Sequence, residues 1–451
     1  MQTRDENYSR YLSKKLHKGH LNRRDFLYLG TLCVSSLSAC AANPVTGKSQ
    51  LMMVSEADEI AMDQSAAPRQ FSADYGAVQD KALNAYITQL GNDLTRGSHR
   101  PAMPYNFRAV NATYINAYAF PAGSIAVTRG ILLNLENEAE LSGLLGHEIG
   151  HVNARHTAER MSKGGLVNMV VSGASTVMDV AGYGAFSPLA EGAGQLGGAV
   201  LLASYSRDDE RQADELGMHY MVKAEQNPEG MVGLMSLLIE INKHTPSSME
   251  AMFSSHPMSD ERFNTAKTRA KESYVQFKAR DKHRDRFMDH TVELRKLKPA
   301  INEMENGQSL MAQKKFSEAH KHFSKALKLA PEDYGALLLM AESQLNQEQY
   351  KEAEPYLAQA RAVYPHEAKA MHLYGVSLLA LKKHEQALTE FQAFQKALPV
   401  EPSAIFFQGL SYEGMGVQEK AANQYKLFLT KQSEGAQAKY AYQRLKEWKT
   451  L

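Results

Sequence analysis

The 451-residue chain holds only two cysteines, Cys33 and Cys40, both within the first forty positions. Residues 41–451 can therefore form no disulfide framework, no cysteine nucleophile and no thiolate-ligated zinc site. An excess of one charge sign is missing too. The 51 basic and 50 acidic residues leave a formal net charge of +1, so nothing draws the chain as a whole to nucleic acid. Hydrophobic residues at 43% and charged residues at 22% exclude a mostly disordered chain. Long apolar runs of the roughly 20 residues that a spanning helix needs are absent as well. Even the Gly-, Ala-, Val- and Met-rich stretch 164–203 is interrupted by Asp179, Pro188 and Glu191, and is expected as helices and a loop flanking a cleft. This length predicts two or three domains.

What is present begins with an address. A basic leader (Arg4, Arg10, Lys14, Lys15, Lys18, Arg23, Arg24) precedes a short apolar stretch, 26–37, which reads as an export signal over residues 1–39. Arg23-Arg24-Asp25-Phe26-Leu27 also admits a twin-arginine signal. Leu37-Ser38-Ala39-Cys40 resembles a bacterial lipobox, which makes Cys40 the lipidated residue and implies a lipid anchor. Ala41, where an aspartate would favour the inner membrane, points to the outer one.

In the last third a 34-residue period is visible. Ala319, Ala353, Ala387 and Ala421 share one phase, Pro331, Pro365 and Pro399 a second, and Phe323, Leu357, Phe391 and Tyr425 a third. Tetratricopeptide helix pairs carry this signature, so four repeats are expected over about 298–433, with a capping helix over 435–448. The interleaved charges of 267–298 read as a solvated linking helix.

The chemistry centres on His147-Glu148-Ile149-Gly150-His151. Residues four apart share a helix face, so both imidazoles can address one ion while Glu148 stands aside to take a proton from water. A third ligand is required. Ala154 and Thr157 exclude the metzincin pattern, and His156 is out of phase for it. Glu210, opening a second helical stretch with Asp214 four residues later, is the remaining candidate.

His147-Glu148-x-x-His151 followed by Glu210-x-x-x-Asp214 resembles the gluzincin endopeptidases, the family of the CAAX prenyl protease and HtpX. The lipidated start, the Asn-Pro-Val-Thr-Gly linker and the repeats are similar to its periplasmic, repeat-bearing branch. The resemblance implies one Zn2+ per chain held by His147, His151 and Glu210. Glu148 would act as general base, and Asp214 would support a ligand or donate a proton. It also implies that His256, in Ser254-Ser255-His256-Pro257, is a fourth ligand or oxyanion stabiliser, and that Ser124, Ile125, Ala126 and Val127 form an edge strand holding extended substrate.

The expected architecture is mainly α with a small β-sheet: a signal peptide (1–39), a zincin-type catalytic domain (40–290) and an all-α tetratricopeptide solenoid (291–451). The expected function is hydrolysis of misfolded or stalled outer-membrane proteins on the periplasmic side of a bacterial envelope. The repeats would recruit clients or the assembly machinery through their concave face, with no nucleic-acid partner. The rival expectation is a chaperone-like repeat scaffold whose metal site is latched or inactive.

Overall fold

The computed structural model describes residues 40–163, 204–244 and 246–451. The leader 1–39 and the stretch 164–203 lie outside the described residues. Strands β1 (Cys40–Ala42) and β2 (Ser49–Leu51) pair antiparallel around a turn that Asn43 builds, its Oδ1 accepting from the N–H of Val45 and Thr46. The Asn43 amide also donates to Ala154 O, fastening this hairpin to the end of a helix described below.

Helix α1 (Glu56–Ala73) starts at a capping box between Ser55 and Asp58. Helix α2 (Lys81–Arg96) is capped by Asp80 and buries Leu83, Ile87, Leu90 and Leu94 along one stripe. Between them and the helices that follow lies a three-stranded sheet of β3 (Asn106–Val110), β4 (Ala117–Ala119) and β5 (Ser124–Thr128). Its order is β3-β5-β4, with β3 parallel and β4 antiparallel to β5.

This order corrects the edge-strand expectation for Ser124, Ile125, Ala126 and Val127: β5 is the central strand. Ile125, Ala126 and Val127 are all fully buried, so both faces of β5 are packed. On the side opposite the main core, Ala126 belongs to a second small core with Phe71, Val110 and Tyr118, which leaves no face of β5 for solvent. The outer strand beside the histidine helix is β4, whose Ala-Tyr-Ala run shows no alternation to detect.

After the single turn α3 (Arg129–Leu132) come α4 (Glu138–Ala154), α5 (Arg207–Lys223), α6 (Glu229–His244), α7 (Pro246–Ser255), α8 (Asp260–Glu272) and α9 (Arg284–Lys296). The expected boundary at 290 falls inside α9. This helix is no solvated linker either: Phe287, Thr291 and Leu294 form a buried stripe, Arg286 pairs with Glu138, and Arg295 donates to Leu135 O at 2.7 Å. Charges interleaved at helical spacing had hidden that narrow apolar face.

The remaining helices pack in consecutive pairs: α10 (Lys298–Ala312) with α11 (Phe316–Leu329), α12 (Tyr334–Leu345) with α13 (Tyr350–Val363), α14 (Ala368–Ala380) with α15 (His384–Ala397), and α16 (Ser403–Gly414) with α17 (Gln418–Lys431). Helix α18 (Ala436–Glu447) packs on α17 and buries Ala438, Ala441 and Leu445. Two regularities underlie the period. A Cβ on Gly307, Gly375 or Gly409 would come within 2.3, 2.7 or 2.5 Å of the ring of Phe323, Phe391 or Tyr425. In the second repeat, where the large residue is Leu357, the matching position is Ala341. Small and large side chains are thus exchanged together. The turn inside each pair places Lys314, Glu348, Lys382 and Gly416 in the left-handed region (φ 60°, 58°, 59° and 75°), and only the last is free of the Cβ cost.

The first two pairs are not separate from the N-terminal domain. One apolar core runs from Leu83 through α4 into α12 and on to Leu373, whereas a second core is confined to α14–α18. The seam is sealed by polar contacts: Arg129, 1% exposed, pairs with Asp333 at 2.7 Å, Tyr75 Oη donates to Glu342 at 3.0 Å, and Lys369 reaches Glu342 at 2.9 Å.

The seat for the aromatic ring is tested by substitution. Gly375→Ala should lower the chemical-unfolding midpoint of the full chain, by the equivalent of about 1–3 kcal/mol. Adding Phe391→Leu, which reproduces the second repeat's pairing, should recover much of it. Simple additivity of the two losses would show that the sites do not couple.

Candidate metal centre

Helix α4 starts at Asn137, whose side chain accepts from Glu140 N–H, and all seventeen of its residues are buried. Such a helix must be packed on every side, and α5 comes closest. The approach is possible because small residues face each other. A Cβ on Gly150 would lie 2.9 Å from Ala213 O, and one on Gly217 would lie 2.9 Å from the His147 backbone nitrogen. The two backbones therefore nearly touch where His147 and His151 on α4 meet Glu210 and Asp214 on α5.

His147, His151, Glu210 and His256 are all buried, and their ligand atoms lie within 4.8 Å of one another. The Nε2 atoms of His147 and His151 are 3.0 Å apart. Glu210 approaches them at 3.5 and 3.2 Å, and His256 Nδ1 lies 3.1 Å from Glu210 and 3.3 Å from His147 Nε2. Asp214 Oδ1 accepts from His147 Nδ1–H at 3.0 Å, which leaves the Nε2 lone pair aimed at the cluster. Glu148 is fully buried, and neither of its carboxylate oxygens has a hydrogen-bond partner among the described residues; His256 Nε2 stands 3.7 Å away. Lone pairs converging on one point beside an orphaned carboxylate suit a divalent cation that prefers N/O donors, and the donor set fits zinc.

Electrostatics follow burial. Desolvation pushes the Glu148 carboxyl above the usual carboxylate range, opposed by His256 and His147. Desolvation also acts to raise Glu210, but the His256 and His147 imidazoles overcome it and hold that carboxyl well below its ordinary value. Burial alone would lower the His256 imidazole; Glu210 and Glu148 outweigh it and raise it. Burial holds His151 well below its ordinary value, in the neutral form a ligand requires.

Sequence reasoning missed two supports. Arg262 on α8 grips Asp214 with Nε and Nη2 at 2.8 and 2.7 Å, reaches Glu210 at 2.5 Å, and donates to Pro257 O at 2.8 Å beside His256. Both Asp214 oxygens are thus already accepting hydrogen bonds, an arrangement that suits orienting His147 and leaves little capacity for donating a proton. The second support is Tyr205, whose ring stacks on His151 with centroids 3.7 Å apart. Neither was legible, because an arginine 48 positions from its partner carries no local spacing signal.

Removing the guanidinium strands two buried carboxylates. Arg262→Met should destabilise the metal-free protein by about 3–5 kcal/mol. Thermal unfolding in chelator checks this, and an unshifted midpoint would mean the ion pairs are dispensable.

Residues 81–270 match the model of peptidase family M48, and residues 310–362 and 338–402 match tetratricopeptide models. The chain is similar to the beta-barrel assembly-enhancing protease of Yersinia pestis, 29% identical over 213 residues that cover 45% of this chain and 42% of that protein. It is similar to the protein of the same name in Escherichia coli K12, at 26% identity over 45% of this chain and 42% of the relative. The metalloprotease YcaL of the same organism is 29% identical over 42% of this chain and 68% of its own length. The alignments with the two assembly-enhancing proteases thus span less than half of those proteins. Residues 81–270 accordingly form a domain of peptidase family M48, a zinc-dependent metallopeptidase family, and the chain continues into tetratricopeptide repeats.

Proposed function

We propose that the chain is a zinc endopeptidase of the bacterial envelope that hydrolyses misfolded or stalled outer-membrane proteins. The observation that carries the chemistry is the convergence of His147, His151 and Glu210 beside an unpartnered, buried Glu148. Zinc bound there would supply a Lewis acid and make a water acidic enough to yield its proton near neutral pH. The residues do the rest. His147 and His151 present Nε2 donors, Glu210 brings the anionic one, and Asp214 with Arg262 fixes the His147 ring. Glu148 is the proton acceptor, and a carboxyl raised by burial can return the proton to a leaving amine.

The names of the two assembly-enhancing relatives support a role in β-barrel assembly, and the repeats suit binding of client or partner proteins. The inner position of α12 is taken up by this chain itself, since residues 334–341 are buried throughout, so recruitment falls to the outer pairs and α18. Among the described residues no helix is long and apolar enough to cross a membrane. We assign membrane attachment to lipidated Cys40 and place the domain on the periplasmic side, at the outer membrane.

A second reading is favoured by His256. Its ring lies within ligand distance of the cluster and beside Glu148, which suits a fourth ligand that latches the resting site more than an oxyanion donor. In that state the chain acts as a recruiting scaffold until His256 withdraws.

Paired variants test the two readings. Glu148→Gln should cost roughly 10²–10⁴-fold in cleavage of an unfolded client, with zinc still bound; full retention would defeat the protease reading. His256→Ala should raise turnover if the latch holds, and a loss of turnover would return His256 to the catalytic machinery. For the anchor, Cys40→Ser should move the protein from the membrane to the soluble fraction, and continued sedimentation with membranes would rule out lipidation as the attachment.

A further inference from the structure

His156 lies five residues after His151, out of phase for a metzincin ligand and outside the metal cluster. It is nevertheless only 2% exposed, and a buried imidazole without a partner is costly. The backbone explains how it arrives there. Helix α4 stops at Arg155, which takes the left-handed conformation (φ 60°), and the chain resumes as helix over residues 156–163. That strained turn is fixed from outside: Arg155 Nε donates to both Glu59 oxygens at 3.1 Å and Nη2 to Val54 O at 2.8 Å. The turn folds His156 back onto the helix it has just left.

There, His156 Nδ1 sits 2.9 Å from His151 Nδ1, and His156 Nε2 sits 2.9 Å from Gln212 Oε1. The amide oxygen of Gln212 can only accept, so His156 carries its proton on Nε2. Its Nδ1 is then a lone pair and must accept from His151 Nδ1–H. That leaves His151 Nε2 unprotonated and directed at His147 and Glu210. Each link admits one tautomer, and the chain of links ends at the metal position. Gln212 stands between Glu210 and Asp214 on α5, so one helix supplies a ligand and the outer supports of both imidazoles. His147 is backed by a carboxylate and His151 by a neutral imidazole, which makes the second support entirely dependent on the tautomer.

We propose that His156, with its tautomer set by Gln212, is the positioning residue that orients His151 and selects its metal-binding tautomer. The inference rests on the zinc reading of the site. Loss of such an outer partner costs 10–100-fold in metal affinity in metal sites generally.

Chelator competition on the full chain, with zinc as titrant, tests it. His156→Leu removes the acceptor and should weaken zinc binding about 10–100-fold. His156→Asn places an amide oxygen where Nδ1 stood and should stay within about threefold of wild type, because the accepting atom is kept. Activity lost in the Leu variant should return in excess zinc. Wild-type affinity in His156→Leu, or equal losses in Leu and Asn, would overturn the proposal in favour of packing alone. Should His156→Leu not fold in chelator, half-buried Gln212 carries the test together with Asp209, whose Oδ1 lies 3.7 Å from His156 Nε2: Gln212→Leu combined with Asp209→Asn frees the tautomer and should weaken zinc in the same direction, and unchanged affinity would overturn the proposal. A wild-type chain that binds no zinc would instead sink the metal reading itself, and this inference with it.

Discussion

The site depends on two helices approaching to backbone contact. Gly146 and Gly150 on α4 face Ala213 and Gly217 on α5, and the missing side chains let His147, His151 and Glu210 meet. A larger residue at any of these positions would push the two helices apart and separate the ligands while leaving each helix intact. The close approach also concentrates charge. Glu148, Glu210 and Asp214 are buried together, and their cost is offset by imidazoles and by Arg262 rather than by water. Such an arrangement is unstable as an apolar core and suited to holding a cation.

Support around the ligands is asymmetric. His147 leans on an ion pair, Asp214 with Arg262, and Arg262 also holds the Pro257 carbonyl next to His256. The fourth candidate ligand and the first are therefore tied to one guanidinium. His151 leans on Tyr205 through its ring face and on His156 through its edge. The polypeptide reaches His156 only through the left-handed residue Arg155, so the Glu59 carboxylate that pins Arg155 lies three contacts from the metal position.

What could be read without coordinates follows from range. The histidine pair sits at one helical interval and the repeat period depends on identical local packing, so both were legible. Glu210 and Asp214 were legible as candidates because they repeat the same interval. The central place of β5 was not, because strand order is decided by partners, and the three residues of β4 leave no pattern. Arg262 and Tyr205 were invisible for the same reason: each acts across a gap of dozens of residues. The glycines at 307, 375 and 409 were present in the sequence but gain meaning only beside the rings that cover them.

The unbroken apolar core from Leu83 to Leu373 has an implication for biosynthesis. A ribosome that has released the whole M48 segment has not yet supplied α12 or the start of α14, so the nascent enzyme still lacks part of its own interior. The interior that includes the metal-bearing helix is thereby complete only once the chain has been made as far as Leu373.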